Sequence, residues 1–434
     1  AEFTVGTEGS AFQLTLENAA TQTVTITVTP EQAEPEFTVT WNGETVTVHA
    51  GENQLPAGTY QYLVRAAGYA NARGTFTVAE RAVSVQVALT ESSARDGESV
   101  KQPSGEGTED KPYLIGSGEE LAWLAQDVNR NGSSRTYAVK LTADIDLGGQ
   151  SKDAKWTPIG KGAGNSFVPF KGTFDGDGHM ISGMDVDAEY AGLFGAVENA
   201  TIRNVIVRGT VNGTAEAGGI VARVRGGMNV IENCGNEAAV SGKLAGGIVG
   251  NNFGSNTKLS VRNCYNSGTV TSNGTASDRA AGILAQGNGT YTTTDCYNVG
   301  RIVSNGYAFG IGASGFGSKI SNSYHAGTVS SSASAGKKPE YAISSGSYSE
   351  NCYYVQGNYA IAQTGTAMTL VEMQETLLGK LNGESGTNWK CEQGRNQDLP
   401  VLAWQTDAGD GGEEANLLDA AFDVEEVYED DAVS

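Results

Sequence analysis

Ile231-Glu232-Asn233-Cys234-Gly235 and Val261-Arg262-Asn263-Cys264-Tyr265 are two versions of a unit that recurs from Thr201 to Tyr354. Ile202-Arg203-Asn204-Val205-Ile206 precedes them, and Thr294-Asp295-Cys296-Tyr297, Ser321-Asn322-Ser323-Tyr324 and Glu350-Asn351-Cys352-Tyr353 come after. Val205, Cys234, Cys264, Cys296, Ser323 and Cys352 share one position, spaced by 29, 30, 32, 27 and 29 residues. After each earlier unit comes a small, apolar block: Gly218-Gly219-Ile220-Val221, Gly246-Gly247-Ile248-Val249, Ala281-Gly282-Ile283-Leu284 and Phe309-Gly310-Ile311-Gly312. A fixed period in this range marks a repeat architecture.

Inside one period, short runs of Val, Ile and Thr alternate with Asn, Gly and Ser, the signature of strands joined by turns. From Leu141 to Tyr354 almost no helical periodicity interrupts them. Each period therefore reads as one coil of a parallel β-solenoid stacked on the next at ~4.8 Å. Seven or eight coils would stand roughly 35 Å tall at that spacing. The expected fold is all-β: a right-handed parallel β-helix with short capping helices, preceded by an Ig-like β-sandwich.

Gly192-Leu193-Phe194-Gly195 and Gly247-Ile248-Val249-Gly250 resemble the GLUG motif of large secreted and surface proteins of bacteria. The resemblance extends upstream through Leu141-Thr142-Ala143-Asp144-Ile145-Asp146-Leu147, Trp156-Thr157-Pro158-Ile159-Gly160 and Phe174-Asp175-Gly176-Asp177-Gly178-His179, and downstream to Leu399-Pro400-Val401-Leu402. It covers about two thirds of the chain. Such arrays accompany IgA-cleaving metallopeptidases and adhesins, so the resemblance implies an extracellular, cell-surface or secreted address more than an activity. A metallopeptidase would need His-Glu-x-x-His, and the chain's histidines, His49, His179 and His325, stand in no such context.

The 434 residues carry a net charge of −22, which excludes a basic nucleic-acid footprint. Eleven of the acidic residues lie between Asp407 and Ser434, where no basic residue occurs. No run approaches the ~18 apolar residues of a membrane span, so no membrane insertion is expected. Ala1 is not an initiator Met, and the chain reads as a processed or trimmed part of a longer multidomain protein. Four of the five cysteines occupy the repeat position, which argues for small buried thiols over a disulfide framework. Parallel Cβ vectors in stacked strands give poor disulfide geometry.

Before the repeats, runs such as Val24-Thr25-Ile26-Thr27-Val28, Phe37-Thr38-Val39-Thr40-Trp41 and Val83-Ser84-Val85-Gln86-Val87 alternate, predicting antiparallel sheets with one buried face. Asn42-Gly43 is a hairpin signal. Leu55-Pro56-Ala57-Gly58-Thr59-Tyr60 with Ala67-Gly68-Tyr69 resembles PEGA-type, Ig-like surface modules. The expected domains are a sandwich over 1–92, a linker over 93–112, a capped β-helix over 113–406 and an acidic linker or tail over 407–434. Ser117-Gly118-Glu119-Glu120 is a capping box opening a helix that would cap the first coil. The stripe Leu370, Met373, Leu377, Leu378 and Leu381, with Trp389 and Trp404, would cap the last.

The residues offer three candidate chemistries. If the repeated Cys points inward, the next residue on an extended strand points outward. Tyr265, Tyr297, Tyr324 and Tyr353 would then stack as an exposed strip suited to a host or cell-surface glycan or protein, or stack on one another for stability alone. The neighbouring Asn column would mark a bend. Asp175 and Asp177, in Asp175-Gly176-Asp177-Gly178, read as turn formers, since Asp and Gly tolerate left-handed conformations; the alternative is a structural calcium site. With Asp144, Asp146, Asp185 and Asp187 they would also supply the paired carboxylates of a glycan-active lyase or hydrolase. No other cofactor is expected. The favoured function is non-catalytic adhesion or ligand recognition; the alternatives are that enzyme or a structural stalk.

Overall fold

The computed structural model describes residues 21–29, 35–41, 44–65, 72–79, 81–89, 100–132, 134–148, 155–162, 167–275, 277–312, 318–332, 340–346, 348–357, 364–392 and 395–405. The chain divides into two compact units, 1–92 and 93–434.

The first unit holds two small sheets that share one apolar cluster. Gly51–Pro56, Thr21–Thr29 and Val83–Ala88 lie side by side in one; Glu44–Val46, Glu36–Trp41, Gly58–Arg65 and Ala72–Val78 form the other. Alternation puts Val24, Ile26 and Val28 inside with Val39, Tyr60, Val64 and Phe76 from the facing sheet. Tyr60 stacks between Trp41 and Phe76 and donates its hydroxyl to the Pro56 carbonyl at 2.8 Å. One pairing differs from the antiparallel expectation: Thr21–Thr29 runs parallel to Val83–Ala88, with Val24 opposite Val83. Alternation reports a buried face but not strand direction. Trp41 pairs with Glu44 across the expected hairpin, whose residues 42–43 lie outside the described residues, as do 66–70 and the tail from 406.

The second unit is a parallel β-solenoid. Val139, Phe174, Ile202, Ile231, Val261, Thr293, Ile320 and Ser349 succeed one another in register, eight levels enclosing seven turns among the described residues. Inside run the columns that the period dictates. Val205, Cys234, Cys264, Cys296, Ser323 and Cys352 are buried in one; Leu193, Ile220, Ile248, Ile283, Ile311 and Ile343 are fully buried in another. The thiols are free, and burial raises Cys234 and Cys264 well above the ordinary thiol range.

Each coil turns one corner in the left-handed region, at Asn204, Asn233, Asn263, Asp295, Asn322 and Asn351, with φ between 49° and 56°. Asn and Asp reach this region at least cost among residues with a side chain, which explains the Asn column. A second column, Asn236, Asn266, Asn298 and His325, is fully buried. Asn236 Nδ2 donates to Asn266 Oδ1 at 2.7 Å, and Asn266 Nδ2 to Asn298 Oδ1 at 2.6 Å. The recurring second glycine of the Gly-Gly-Ile block makes room for it. A Cβ on Gly247 would lie 2.5 Å from Asn266 Cγ and 2.1 Å from the Gly282 carbonyl oxygen.

Helix α1, Gly118–Asn131, buries Leu121, Leu124, Ala125 and Val128 in the solenoid core. Ser117 Oγ accepts from the Glu120 amide, while the Glu120 carboxylate takes the Gly116 amide at 2.9 Å. Residues 100–112, expected as linker, bond into the first coil: Ser104 bridges to Leu114, and the Gly107 carbonyl accepts from the Ala138 amide.

Helix α2, Leu370–Asn382, is capped by a reciprocal Thr369/Glu372 pair. Its buried Met373, Leu377 and Leu381 join a cluster with Tyr265, Tyr297 and Tyr324, apart from the solenoid core. The expectation that this segment caps the last coil is corrected: it lies on the side of the stack. Trp404 reaches back to donate to the Asn263 carbonyl at 2.9 Å, across 141 residues of sequence.

Candidate functional site

The tyrosine column forms as its spacing requires, but under cover. Tyr265, Tyr297 and Tyr324 stack at 5.3 and 5.2 Å with interplanar angles of 11° and 3°. They point away from the Cys column, as alternation demands. Yet their exposures are 3%, 2% and 0%, and Tyr353 is partly buried. The expected exposed strip is thus corrected, and the cause is the C-terminal segment. The Trp389 ring lies tilted against the column, 6.0 Å from Tyr297 and 5.7 Å from Tyr324, and donates Nε1–H to Asp295 at 3.1 Å. Tyr324 donates to the Pro400 carbonyl at 2.5 Å, and Gln405 lies 3.0 Å from the Tyr297 hydroxyl. Burial pushes the Tyr324 hydroxyl well above its usual range. A ligand would reach this column only if the segment left.

The aspartates of the first coils are engaged one by one. Asp177 has φ 51° and Gly178 86°, the left-handed turn that Asp-Gly favours. Asp175 Oδ1 accepts from the Asp177 amide and Asn204 Nδ2, both at 2.9 Å, and Oδ2 accepts from Arg203 Nε at 2.9 Å. Burial alone would raise the Asp175 carboxyl, but Asn204, the Asp177 amide and Arg203 together hold it below its ordinary value. Asp177 pairs with Lys140 at 3.0 Å, Asp185 and Asp187 both with Lys155, and Asp144 with His179. Asp146 accepts from the Gly148 amide. Calcium needs several converging free oxygens. Here both Asp175 oxygens are taken and Asp177 faces an ammonium, so the pair does not fit that ion. Among the described residues, no three His, Cys, Asp or Glu side chains gather as metal ligands would.

A different cluster stands on another face, where the chain enters each Gly-Gly turn on one strand and leaves on the next. Side chains of the two strands meet across the turn. Register sets Tyr190, Glu216, Leu244, Arg279 and Tyr307 in one column. Ala196, Arg223, Asn251 and Gln286 form the facing one. Arg223 binds Glu216 with two prongs, Nε to Oε2 at 2.7 Å and Nη2 to Oε1 at 2.5 Å. Nη1 donates to the Gly162 carbonyl at 3.0 Å, and Asn251 Nδ2 donates to Glu216 at 2.7 Å. The Arg223 guanidinium lies 4.3 Å from the Tyr190 ring centre and 4.6 Å from that of Phe253.

Two residues on, Arg225 is exposed, 4.8 Å from the Phe167 ring and 5.9 Å from Phe253, itself 37% exposed. Two coils further, Arg279 lies 5.8 Å from the Tyr307 ring; Tyr307 stacks with Phe309, and Phe309 with Tyr341. Cation–π contacts of this kind hold guanidinium groups in place without neutralising them. This arginine–aromatic notch was missed in the sequence. The signal was present at repeat positions that vary, where Glu216, Leu244, Arg279 and Tyr307 succeed one another, rather than at those that repeat.

Fold and site together define a two-unit all-β chain whose larger part is a laterally covered parallel β-solenoid. No protein-family model matches it, so the GLUG and PEGA resemblances rest on the quoted residues alone. The chain is 28% identical to halomucin of Haloquadratum walsbyi over 220 residues, covering 41% of this chain and 2% of halomucin. It is 34% identical over 140 residues to a candidate Gly-rich membrane protein of Evansella cellulosilytica, covering 30% of this chain and 15% of that protein. The chain thus spans a small part of the length of the curated relatives it matches. A solved structure described as a candidate immunoglobulin A1 protease from Bacteroides ovatus shares the fold. Its TM-score is 0.52 at 20% identity, over 71% of this chain and 96% of that one. No described helix is long and apolar enough to cross a membrane.

Proposed function

We propose that this chain is part of a larger surface-exposed or secreted protein and that its solenoid is a recognition module presenting the arginine–aromatic notch to a glycan or protein. The observation that carries the reading is Arg225, an exposed guanidinium held between Phe167 and Phe253 with no ion-pair partner among the described residues. An exposed cation set on aromatic rings adds little to stability, since cation–π contacts at exposed sites contribute ~0.5–1 kcal/mol. It is well placed to meet a ligand. The relatives' names, a halomucin and a Gly-rich membrane protein, support a surface address. The GLUG-like blocks support it too. In the first coils every carboxylate weighed for glycan cleavage is engaged by a cation or a backbone amide, which favours binding over turnover.

A second reading, a structural stalk, is favoured by the ladders of Asn, Cys and Tyr that run from coil to coil. A glycan and protein array probed with the whole chain and with Phe253→Ala separates the two. Recognition through the notch predicts at least one ligand whose signal falls in the variant. Silence on every ligand would leave the stalk.

A further inference from the structure

Recognition through the notch leaves the ligand's chemistry open, and the charges around it narrow the choice. Residues 1–100 hold 12 acidic and 4 basic side chains, and 407–434 hold 11 and none. The stretch 101–406 keeps 27 acidic and 24 basic, a net charge of −3 in a chain of −22. Of the glutamates near it, Glu216 pairs with Arg223, Glu232 with Arg262 and Glu237 with Arg208, while the exposed Glu189 is hydrogen-bonded to Tyr190. Asp278 accepts from the Thr275 amide at 2.6 Å. Arg225 and Arg279 make no ion pair among the described residues, and Arg279 Nε is buried without a hydrogen-bond partner. The notch therefore carries two guanidinium groups that form no ion pair among the described residues, each beside an exposed ring.

Their placement suits a linear ligand. Arg225 pairs in register with Phe253; Leu244, in the same coil as Phe253, pairs with Arg279. The two arginines thus stand two coils apart, about 10 Å along the stack at the ~4.8 Å strand spacing. Leu244 and Asn251 lie between their levels and are uncharged. A single small anion would meet one guanidinium, whereas a chain lying along the stack would meet both. A peptide is the poorer fit. Peptides join sheets by pairing with a free strand edge, and here Val221–Arg225 is paired on both sides, as is Leu244–Gly246. Planar guanidinium forks match carboxylate or sulfate oxygens, and the parts of the Phe253 and Tyr307 rings left exposed beyond their arginine contacts offer apolar surface for the C–H faces of sugar rings.

We propose, resting on the recognition reading above, that the notch binds an acidic polysaccharide, its anionic groups on Arg225 and Arg279 and its rings on Phe253 and Tyr307.

The test uses the whole chain, Arg225→Ala, Arg279→Ala, the double variant and Arg225→Lys, in titration calorimetry against polygalacturonate, dextran sulfate, neutral dextran and poly-glutamate. The expected result is binding to at least one of the two acidic polysaccharides and none to neutral dextran. That binding should weaken roughly tenfold or more in the double variant, since hydrogen bonds to charged groups are worth at least that much. It should also weaken as salt rises. Arg225→Lys keeps the charge without the fork and should fall between wild type and Arg225→Ala. Whichever polymer binds separates carboxylate from sulfate as the anionic group. Unchanged binding in the double variant overturns the proposal, as does equal binding of poly-glutamate. Binding to neutral glycans or a protein alone overturns it while leaving the recognition reading in place. No binding to any ligand, here or on the array, removes both. A matching thermal unfolding midpoint in every variant keeps loss of fold out of the comparison.

Discussion

The side-chain amide of Asn298 donates to Nδ1 of His325 at 3.0 Å and so closes the buried ladder that begins at Asn236. The Asn298 amide has no freedom to turn round. Its oxygen accepts from Asn266 and from the Gly300 amide, and its nitrogen also donates to the Gly300 carbonyl. Nδ1 of His325 must therefore be the acceptor, and the ring is neutral with its proton on a buried Nε2 that has no partner among the described residues.

That geometry predicts a pH dependence of stability. Burial lowers the His325 pKa from 6.5 to about 4. Above about pH 6.5 the ring is neutral whether folded or unfolded, and the group costs nothing. Below that the unfolded chain takes up a proton that the folded chain refuses, so stability falls with pH and the loss is complete below about pH 4. At ~1.4 kcal/mol per unit the full loss is about 3 kcal/mol. His325→Asn extends the ladder with a group that does not titrate. Urea unfolding between pH 7 and 4.5 should show the variant losing markedly less stability than wild type; parallel losses would remove His325 as the cause.

Glycine at the second position of the Gly-Gly-Ile block is predicted to be indispensable. Gly247→Ala drives a methyl into the Gly282 carbonyl and the Asn266 amide, both within van der Waals contact of the new atom. The change should destabilise the solenoid by about 3 kcal/mol, the upper end for overpacking. Gly379→Ala is the control: in α2 the new methyl meets nothing within 4 Å, and helix propensity should add about 0.5–1 kcal/mol. Chemical denaturation of the two variants should move their midpoints in opposite directions.

The lateral segment should be separable from the solenoid. Trp389→Ala deletes two ring contacts and the bond to Asp295, a loss of about 3 kcal/mol for a buried aromatic. A tyrosine-nitrating reagent should then modify Tyr297 and Tyr324, which wild type protects, while the coils keep their β-type circular dichroism. Protection equal to wild type would mean that the segment does not depend on Trp389.

The repeat carried most of this fold in plain view. The inward Cys column, the outward Tyr column and the bend at Asn233, Asn263 and Asn322 all arise from one residue type returning at one spacing. What covers the tyrosines does not. Leu370, Met373, Leu377 and Leu381 declare an amphipathic helix but not which of two apolar surfaces, the open coil or the tyrosine strip, it meets. The notch was hidden for another reason. Phe167 and Phe253 are far apart in sequence and come to Arg225 only through the register of the coils, and their positions in the repeat are those the repeat does not keep. The recurring glycine was visible without its cause, the Asn ladder that packs against it.

The reach of Trp404 back to Asn263 has a mechanical consequence. A pull on the residues after Gln405 would not begin at the outermost coil, where parallel strands peel most readily. It would enter the stack through Gln405 and Trp404 at the level of Tyr297 and Asn263, coils in from the end, and would load the Pro400 and Trp389 contacts only after those gave way. The segment acts as a strain relief, letting tension bypass the coils that would otherwise unwind first.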